Sequence, residues 1–253
     1  MHPILFQFGP MTLYTYGLLL AVAFIVGIAL AKKEAVRVGI DPNQILDLSF
    51  YILISAVIGS RLLFILTDLP RFIADPIEIF RIWNGGLVFY GGFIGAALTV
   101  VFYLRHTGLD FWKTADVLAP SVALGQAIGR VGCFSAGCCY GKICELPWAV
   151  TFSDPNSLAR LNVPLHPTQL YEAFGNLVIF LILWFRRASI AYEGQTFVHY
   201  LVFYGAMRSV VEIYRGDFRG DTYWSVFSVS QLIGMGMIVI GIILNAMRRR
   251  QNG

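Results

Sequence analysis

The amino-acid sequence predicts an all-α, polytopic membrane protein of about seven transmembrane helices. Three observations carry that expectation: 57% of the 253 residues are hydrophobic and 13% charged, apolar stretches of nearly spanning length recur along the chain, and the basic residues collect between those stretches. Such a composition lies outside the range of a water-soluble domain of this length. The formal net charge of +4 does not point to nucleic acid, because the basic residues form no patch on a polar face.

Crossing a bilayer takes roughly 20 apolar residues, and spans are expected at about 12–31, 46–67, 86–104, 116–133, 168–186, 196–214 and 226–247. The first is expected to stay on the protein, since Met1 to Thr15 has neither a basic leading segment nor a small-residue cleavage site before it. The second contains the run Ile52 to Ser60 and ends near Arg61. Glycines 85, 86, 91 and 92 mark the start of the third, and the fourth ends in the glycine-rich run from Gly125 to Phe134 that contains Arg130. The fifth follows His166-Pro167, the sixth carries the run His199 to Met207 before Arg208, and the seventh leads into Arg248, Arg249 and Arg250. No internal repeat interrupts this pattern, so residues 1–253 read as a single integral membrane domain. Its longest connection, about 134–165, is expected to be an ordered outer loop, because loops of that length in compact proteins are usually functional or disordered and its four cysteines and Trp148 argue against disorder.

With seven crossings, one side carries ten Lys and Arg residues and the other six, namely Arg71, Arg81, Lys142, Arg160, Arg215 and Arg219. The second side also holds acidic residues, among them Asp217 and Asp221. The positive-inside tendency then places the amino terminus outside and the carboxyl terminus in the cytoplasm. Arg61, Arg130 and Arg208 belong to neither set. A guanidinium within hydrocarbon costs roughly 2.5 to 3.5 kcal/mol on insertion scales and so faces a protein interior or a wet cavity. Three such cations suggest an anionic ligand.

Depth unites the scattered polar residues. Arg61, Arg130 and Arg208 lie near the ends of outward-running spans, while Tyr16, Tyr90, His166, Gln169 and Glu172 lie near the beginnings of inward-running ones. All fall in the outer half. Tyr204, Arg208 and Glu212 are spaced by four and share one helical face, and the glycines at 125, 129 and 132 permit close helix approach. Other roles exist for several of these residues. Tyr16 and Tyr204 suit an interfacial belt, Arg61 and Arg208 suit ion pairs with Glu172 and Glu212, and His166 suits an exposed loop.

At these residues the chain resembles bacterial prolipoprotein diacylglyceryl transferases along nearly its whole length. Tyr16-Gly17 is similar to the family's early Tyr-Gly, Gly59-Ser60-Arg61-Leu62 to its second-span arginine motif, and Gly85 to Gly92 to its third-span glycine motif. Gly129-Arg130-Val131-Gly132 through Gly141 stands where the signature G-R-x-G-N-F-x-N-x-E-x-x-G belongs. His166-Pro167-Thr168-Gln169-Leu170-Tyr171-Glu172 and Tyr204 to Glu212 complete the set. The resemblance implies transfer of the sn-1,2-diacylglyceryl group of phosphatidylglycerol to the lipobox cysteine of lipoprotein precursors, in the bacterial inner membrane, with glycerol phosphate released. It implies no metal and no cofactor; the partners are phosphatidylglycerol, precursor signal peptides and membrane lipids. Where the signature has two asparagines and a glutamate, this chain has Cys133, Ala136 and Cys138, and Tyr90 replaces a third-span histidine.

The chemistry of that reaction gives the residues their expected roles. Sulfur attacks a lipid carbon and a phosphate departs, so preorganised cations that receive the accumulating charge matter most, and arginine grips phosphate oxygens in pairs. Arg130 and Arg208 are the expected phosphate ligands, with Arg61, Tyr16, Gly129, Gly132 and Gly141 lining the lipid site. Tyr204, His166 and Tyr90 are expected beside the reacting atoms, with His166, Tyr90 or a carboxylate taking the proton and Tyr90 orienting substrate. Glu172, Gln169 and Glu212 support them.

Cys133, Cys138, Cys139 and Cys144 follow a C-x4-C-C-x4-C spacing. That spacing departs from the usual zinc pairs, and disulfides are the expected state on an outer face. Two other readings compete with transfer: a thiol oxidoreductase that uses these cysteines, and an anion transporter. The first leaves the embedded arginines without a task, and the second lacks the internal symmetry common in transporters.

Overall fold

The computed structural model describes residues 2–8, 11–81, 85–217 and 228–252. Arg219 and Asp221 of the charge count, and the first two residues of the expected last span, lie outside them. The chain begins with a hairpin of β1 (Ile4–Phe8) and β2 (Met11–Tyr14), followed by helices α1 (Thr15–Val38), α2 (Pro42–Thr67) and α3 (Leu69–Ala74). A 3-10 turn at Pro76–Phe80 leads to α4 (Phe89–Thr107) and α5 (Phe111–Ala136). Two short strands, β3 (Val150–Thr151) and β4 (Pro164–Leu165), precede α6 (Thr168–Arg186), α7 (Gln195–Ile213) and α8 (Val229–Asn252). Among the described residues, five helices, α1, α2, α5, α6 and α8, are long and apolar enough to cross a membrane. The protein is therefore mainly helical and membrane-embedded.

Several boundaries differ from the sequence expectation, among them the second helix, which begins at Pro42 rather than 46, and some differ for a local reason. The first helix starts at Thr15 rather than 12, because Met11 to Tyr14 pair with the preceding strand. The helix expected from 86 starts at Phe89, since Gly85 and Gly86 adopt φ of 83° and 77°, a left-handed conformation that ends helices at little cost only for glycine. The fourth expected span begins five residues earlier, at Phe111, and ends where Gly137 turns with φ 77°.

The residues form two compact units, Lys32–Thr114 and the pair of segments Met1–Ala31 and Ala115–Gly253. In the first, α2 and α4 cross at small residues. A Cβ on Gly59 would strike the Gly91 backbone, one on Gly95 the Ser55 carbonyl, and one on Gly92 would come within 3.0 Å of the Ala56 oxygen. Only glycine permits this approach, the same economy as in small-residue crossings of membrane helices. Asp41 starts α2 by accepting from the Asn43 N–H at 2.9 Å, with Pro42 at the first helical position.

In the second unit, α5, α6 and α7 meet at Ala119, Ala123, Ile179, Leu183 and Tyr200, with Phe180, Tyr204 and Met207 packed around them. The buried Asp116 of α5 caps α7, accepting from the Gly194 and Phe197 N–H groups at 2.7 and 2.9 Å. Helix α8 docks at Gly205, where a Cβ would lie 2.5 Å from the Gly234 carbonyl oxygen. The segment after α5 has a core of its own, Phe152, Ala159 and Leu165 against Phe134, Tyr140 and Val163.

Candidate active site

The site is organised around Glu172, one turn into α6 and fully buried. Three arginines converge on its carboxylate: Arg130 Nε at 2.7 Å, Arg215 Nη1 at 3.1 Å and Arg208 Nη1 at 3.5 Å. Arg208 also pairs with Glu212 at 2.6 Å, one turn along α7, and donates to Ser230 Oγ at 3.1 Å. Arg215 holds Asp217 through Nε and Nη2 at 2.8 and 2.7 Å. Three cations thus meet three carboxylates, which satisfies the rule that charge taken out of water must be paired.

The three arginines are not equivalent. Arg208 and Arg215 keep 8% and 3% of their side-chain exposure, whereas Arg130 keeps 22% and meets Glu172 through Nε. Tyr204 lies in hydrogen-bonding reach of the Arg130 guanidinium, stacked on Tyr200 at 5.5 Å between ring centres. A Cβ at Gly129, the residue before Arg130, would meet nothing within 4 Å. At Gly132 the reverse holds, since a Cβ there would sit 3.2 Å from the Tyr16 ring and 3.3 Å from Leu19. Gly132 therefore brings α5 against α1 and places Tyr16 near Arg130 and the cysteines.

The amino end of α6 fixes the loop that follows α5. Thr168 Oγ1 donates to the Cys139 carbonyl and Gln169 Nε2 to that of Cys138, each at 2.8 Å. Cys139 has φ 63°, a left-handed conformation uncommon for a residue with a side chain. Gly141 lets three strands of chain cross: its N–H donates to the His166 carbonyl at 3.0 Å, and a Cβ would lie 2.5 Å from the His166 Cβ and 2.8 Å from the Tyr214 oxygen. Gly141 therefore serves backbone packing. His166 is half-buried rather than an exposed loop residue. Its Nδ1 is 3.1 Å from the Tyr171 hydroxyl, which accepts from Trp148 Nε1 at 2.8 Å, and its ring lies 5.2 Å from that of Tyr214.

No disulfide joins Cys133, Cys138, Cys139 or Cys144 among the described residues, where disulfides were the expectation. Cys133, Cys138 and Cys139 form a triangle with sulfurs within 4.8 Å of one another, while Cys144 lies outside it. Hydrogen bonds from Cys133 and Cys138 hold the Cys139 thiol well below the ordinary thiol range against the effect of burial, and Arg215 adds to the lowering. Hydrogen bonds with Cys133 and Cys139, together with burial, push Cys138 up.

Arg61 and Tyr90 belong to the other compact unit. Arg61 is buried and donates to five main-chain carbonyls: Ile79 at 3.1 Å, Gly85 at 2.7 Å, Gly86 at 3.3 Å, Arg81 at 3.4 Å, and Glu78. Phe64 and Phe72 flank it at 5.6 and 5.4 Å. These bonds use the full donor set of a guanidinium, so Arg61 is engaged by backbone carbonyls. Tyr90 is exposed on α4 beside Phe89. Arg215, one of the loop charges of the sequence, is part of the Glu172 site. The signal was present, because Arg215 continues the Arg208, Glu212 face by one more turn.

Three arginines on a shared buried carboxylate, inside a mainly helical and membrane-embedded protein, define the class: helical membrane proteins with a charged interior site. The comparisons with known proteins narrow it. A family model described as prolipoprotein diacylglyceryl transferase matches residues 3–247. A relative from Clostridium tetani is 38% identical over 96% of this chain and 96% of its own. Others from Solidesulfovibrio magneticus and Methylococcus capsulatus are 36% and 37% identical, covering 97% and 96% of this chain and 94% of their own. All three are named phosphatidylglycerol–prolipoprotein diacylglyceryl transferase. The chain belongs to the prolipoprotein diacylglyceryl transferase family.

Proposed function

We propose that this protein transfers the sn-1,2-diacylglyceryl group of phosphatidylglycerol to the lipobox cysteine of lipoprotein precursors, the first step of their maturation. The acceptor sulfur forms a bond to the glyceryl carbon, the carbon–oxygen bond to phosphate breaks, and glycerol phosphate leaves. The protein acts as one domain crossing the bacterial inner membrane seven times, amino terminus outside and carboxyl terminus in the cytoplasm, with the site in the outer half. There both the lipid and the signal peptide can reach it.

The observation that carries this reading is Arg130, oriented by Glu172 through one nitrogen and still 22% exposed. Its remaining donors receive the phosphate and the charge that builds on it. Arg208, almost fully enclosed by Glu172, Glu212 and Ser230, holds the field in place more than it grips the lipid. Tyr204 steadies the Arg130 guanidinium. His166, fixed through Nδ1 by Tyr171, presents Nε2 as the proton acceptor. Expression in a bacterium depleted of its own transferase tests the proposal: growth and lipoprotein processing are restored by the wild-type protein and not by Arg130→Gln. Failure of the correctly inserted wild-type protein to restore processing counts against it.

A further inference from the structure

The three-cysteine triangle has a chemistry that the arginine site does not use. Cys133 lies three residues past Arg130 on α5, and Cys138 and Cys139 follow the left-handed turn at Gly137. Their positions are set by other groups, since Thr168 and Gln169 hold the carbonyls of Cys139 and Cys138 and Cys139 keeps an uncommon positive φ. Strained backbone that the surroundings over-determine is concentrated at functional sites. The sulfurs are within 4.8 Å of one another. Zinc bound at about 2.3 Å in a tetrahedron spaces its sulfurs by about 3.8 Å, so each sulfur closes on an ion by less than about 1 Å.

We propose that Cys133, Cys138 and Cys139 bind a thiophilic divalent metal ion, zinc, through three thiolates, and that its fourth position takes the acceptor thiol. Three soft sulfur ligands select zinc over hard cations, and three protein ligands with one open position are the pattern of catalytic rather than structural sites. Zinc with three thiolates carries one net negative charge. Arg215, which hydrogen-bonds Cys139, and the adjacent Arg130 lie beside it. A thiol that coordinates zinc gives up its proton outright, so the acceptor arrives at the lipid as thiolate. Its sulfur then bonds to the glyceryl carbon while the carbon–oxygen bond to phosphate breaks. The proton goes to His166 or solvent, and no oxidant takes part. The fourth ligand rests on the transferase reading; the three-thiolate site does not.

The test is metal analysis of the full-length protein purified in detergent without chelators, with transfer to a lipobox peptide measured on the same preparation. Zinc at about one ion per chain, lost on Cys133→Ser, Cys138→Ser or Cys139→Ser and kept in Cys144→Ser, is the expected result. If a variant fails to fold, the wild-type protein exchanged with cobalt decides: thiolate-to-cobalt absorption that shifts when the peptide is added supports the proposal. Cobalt spectra without thiolate bands overturn it, as does a disulfide within the triangle in the active protein, seen as a loss of two hydrogens by mass spectrometry. Full transfer by metal-free protein overturns the metal site and leaves the transferase reading intact. Metal held by the three cysteines in folded protein that transfers nothing overturns the transferase reading and with it the fourth ligand, while the three-thiolate site stands.

Discussion

At the scale of single residues, Glu172 is the group whose removal the site tolerates least. It neutralises part of Arg130, Arg208 and Arg215 at once, and breaking a buried pair on one side costs about 3 to 5 kcal/mol. Glu172→Gln is therefore expected to lower both thermal stability and turnover. Arg130→Gln differs, because Arg130 is partly exposed and its loss leaves Glu172 two other cations; turnover should fall about 10²- to 10³-fold with the melting temperature nearly unchanged. Parallel thermal unfolding and transfer assays on the two variants separate these outcomes. A wild-type rate in folded Arg130→Gln removes the central residue of the mechanism. Arg61 is predicted to behave in the opposite way. Its donors hold the carbonyls of Glu78, Ile79, Arg81, Gly85 and Gly86, so Arg61→Lys, which keeps the charge but not the fork of donors, should lower the melting temperature as Arg61→Ala does. Retained stability in Arg61→Lys means that charge alone suffices there.

Among the elements, the helices were legible because apolar runs and flanking charges need no tertiary information. The starts of α1 and α4 were not, since strand pairing at Met11–Tyr14 and positive φ at Gly85 and Gly86 reflect local choices that hydropathy does not record. The site was legible in part for the same reason. Arg130, Arg208, Glu172 and Glu212 stand out as charges within apolar runs, whereas Arg215 sits among loop residues and looks solvated. Spacing along the chain also gave no account of how Cys139 folds back towards Cys133. The crossing of α2 and α4 supplies a prediction at this scale. With the Gly59 backbone and Leu63 lying where a Gly91 side chain would go, Gly91→Val must push the helices apart, and overpacking of this kind costs about 1 to 3 kcal/mol. Thermal unfolding in detergent should show a clear loss for Gly91→Val and little for Gly17→Val, where a Cβ meets nothing within 4 Å. Equal losses at the two positions mean that helix propensity, and not the crossing, sets the effect.

For the whole molecule, the account joins a mainly helical membrane protein of the prolipoprotein diacylglyceryl transferase family to a charge-balanced arginine site whose most open cation is Arg130. The family signature's asparagines and glutamate are replaced here by Cys133, Ala136 and Cys138, so the arginine framework persists while its neighbours change chemistry. What the protein must do is move one diacylglyceryl group from lipid to thiol. The most direct measurement gives the purified protein phosphatidylglycerol with deuterated acyl chains and a lipobox peptide, and follows the peptide by mass spectrometry. The expected product is a peptide heavier by the deuterated diacylglyceryl group, linked through a base-stable thioether, with glycerol phosphate formed in equal amount. An unmodified peptide in the presence of folded, lipid-saturated protein contradicts it.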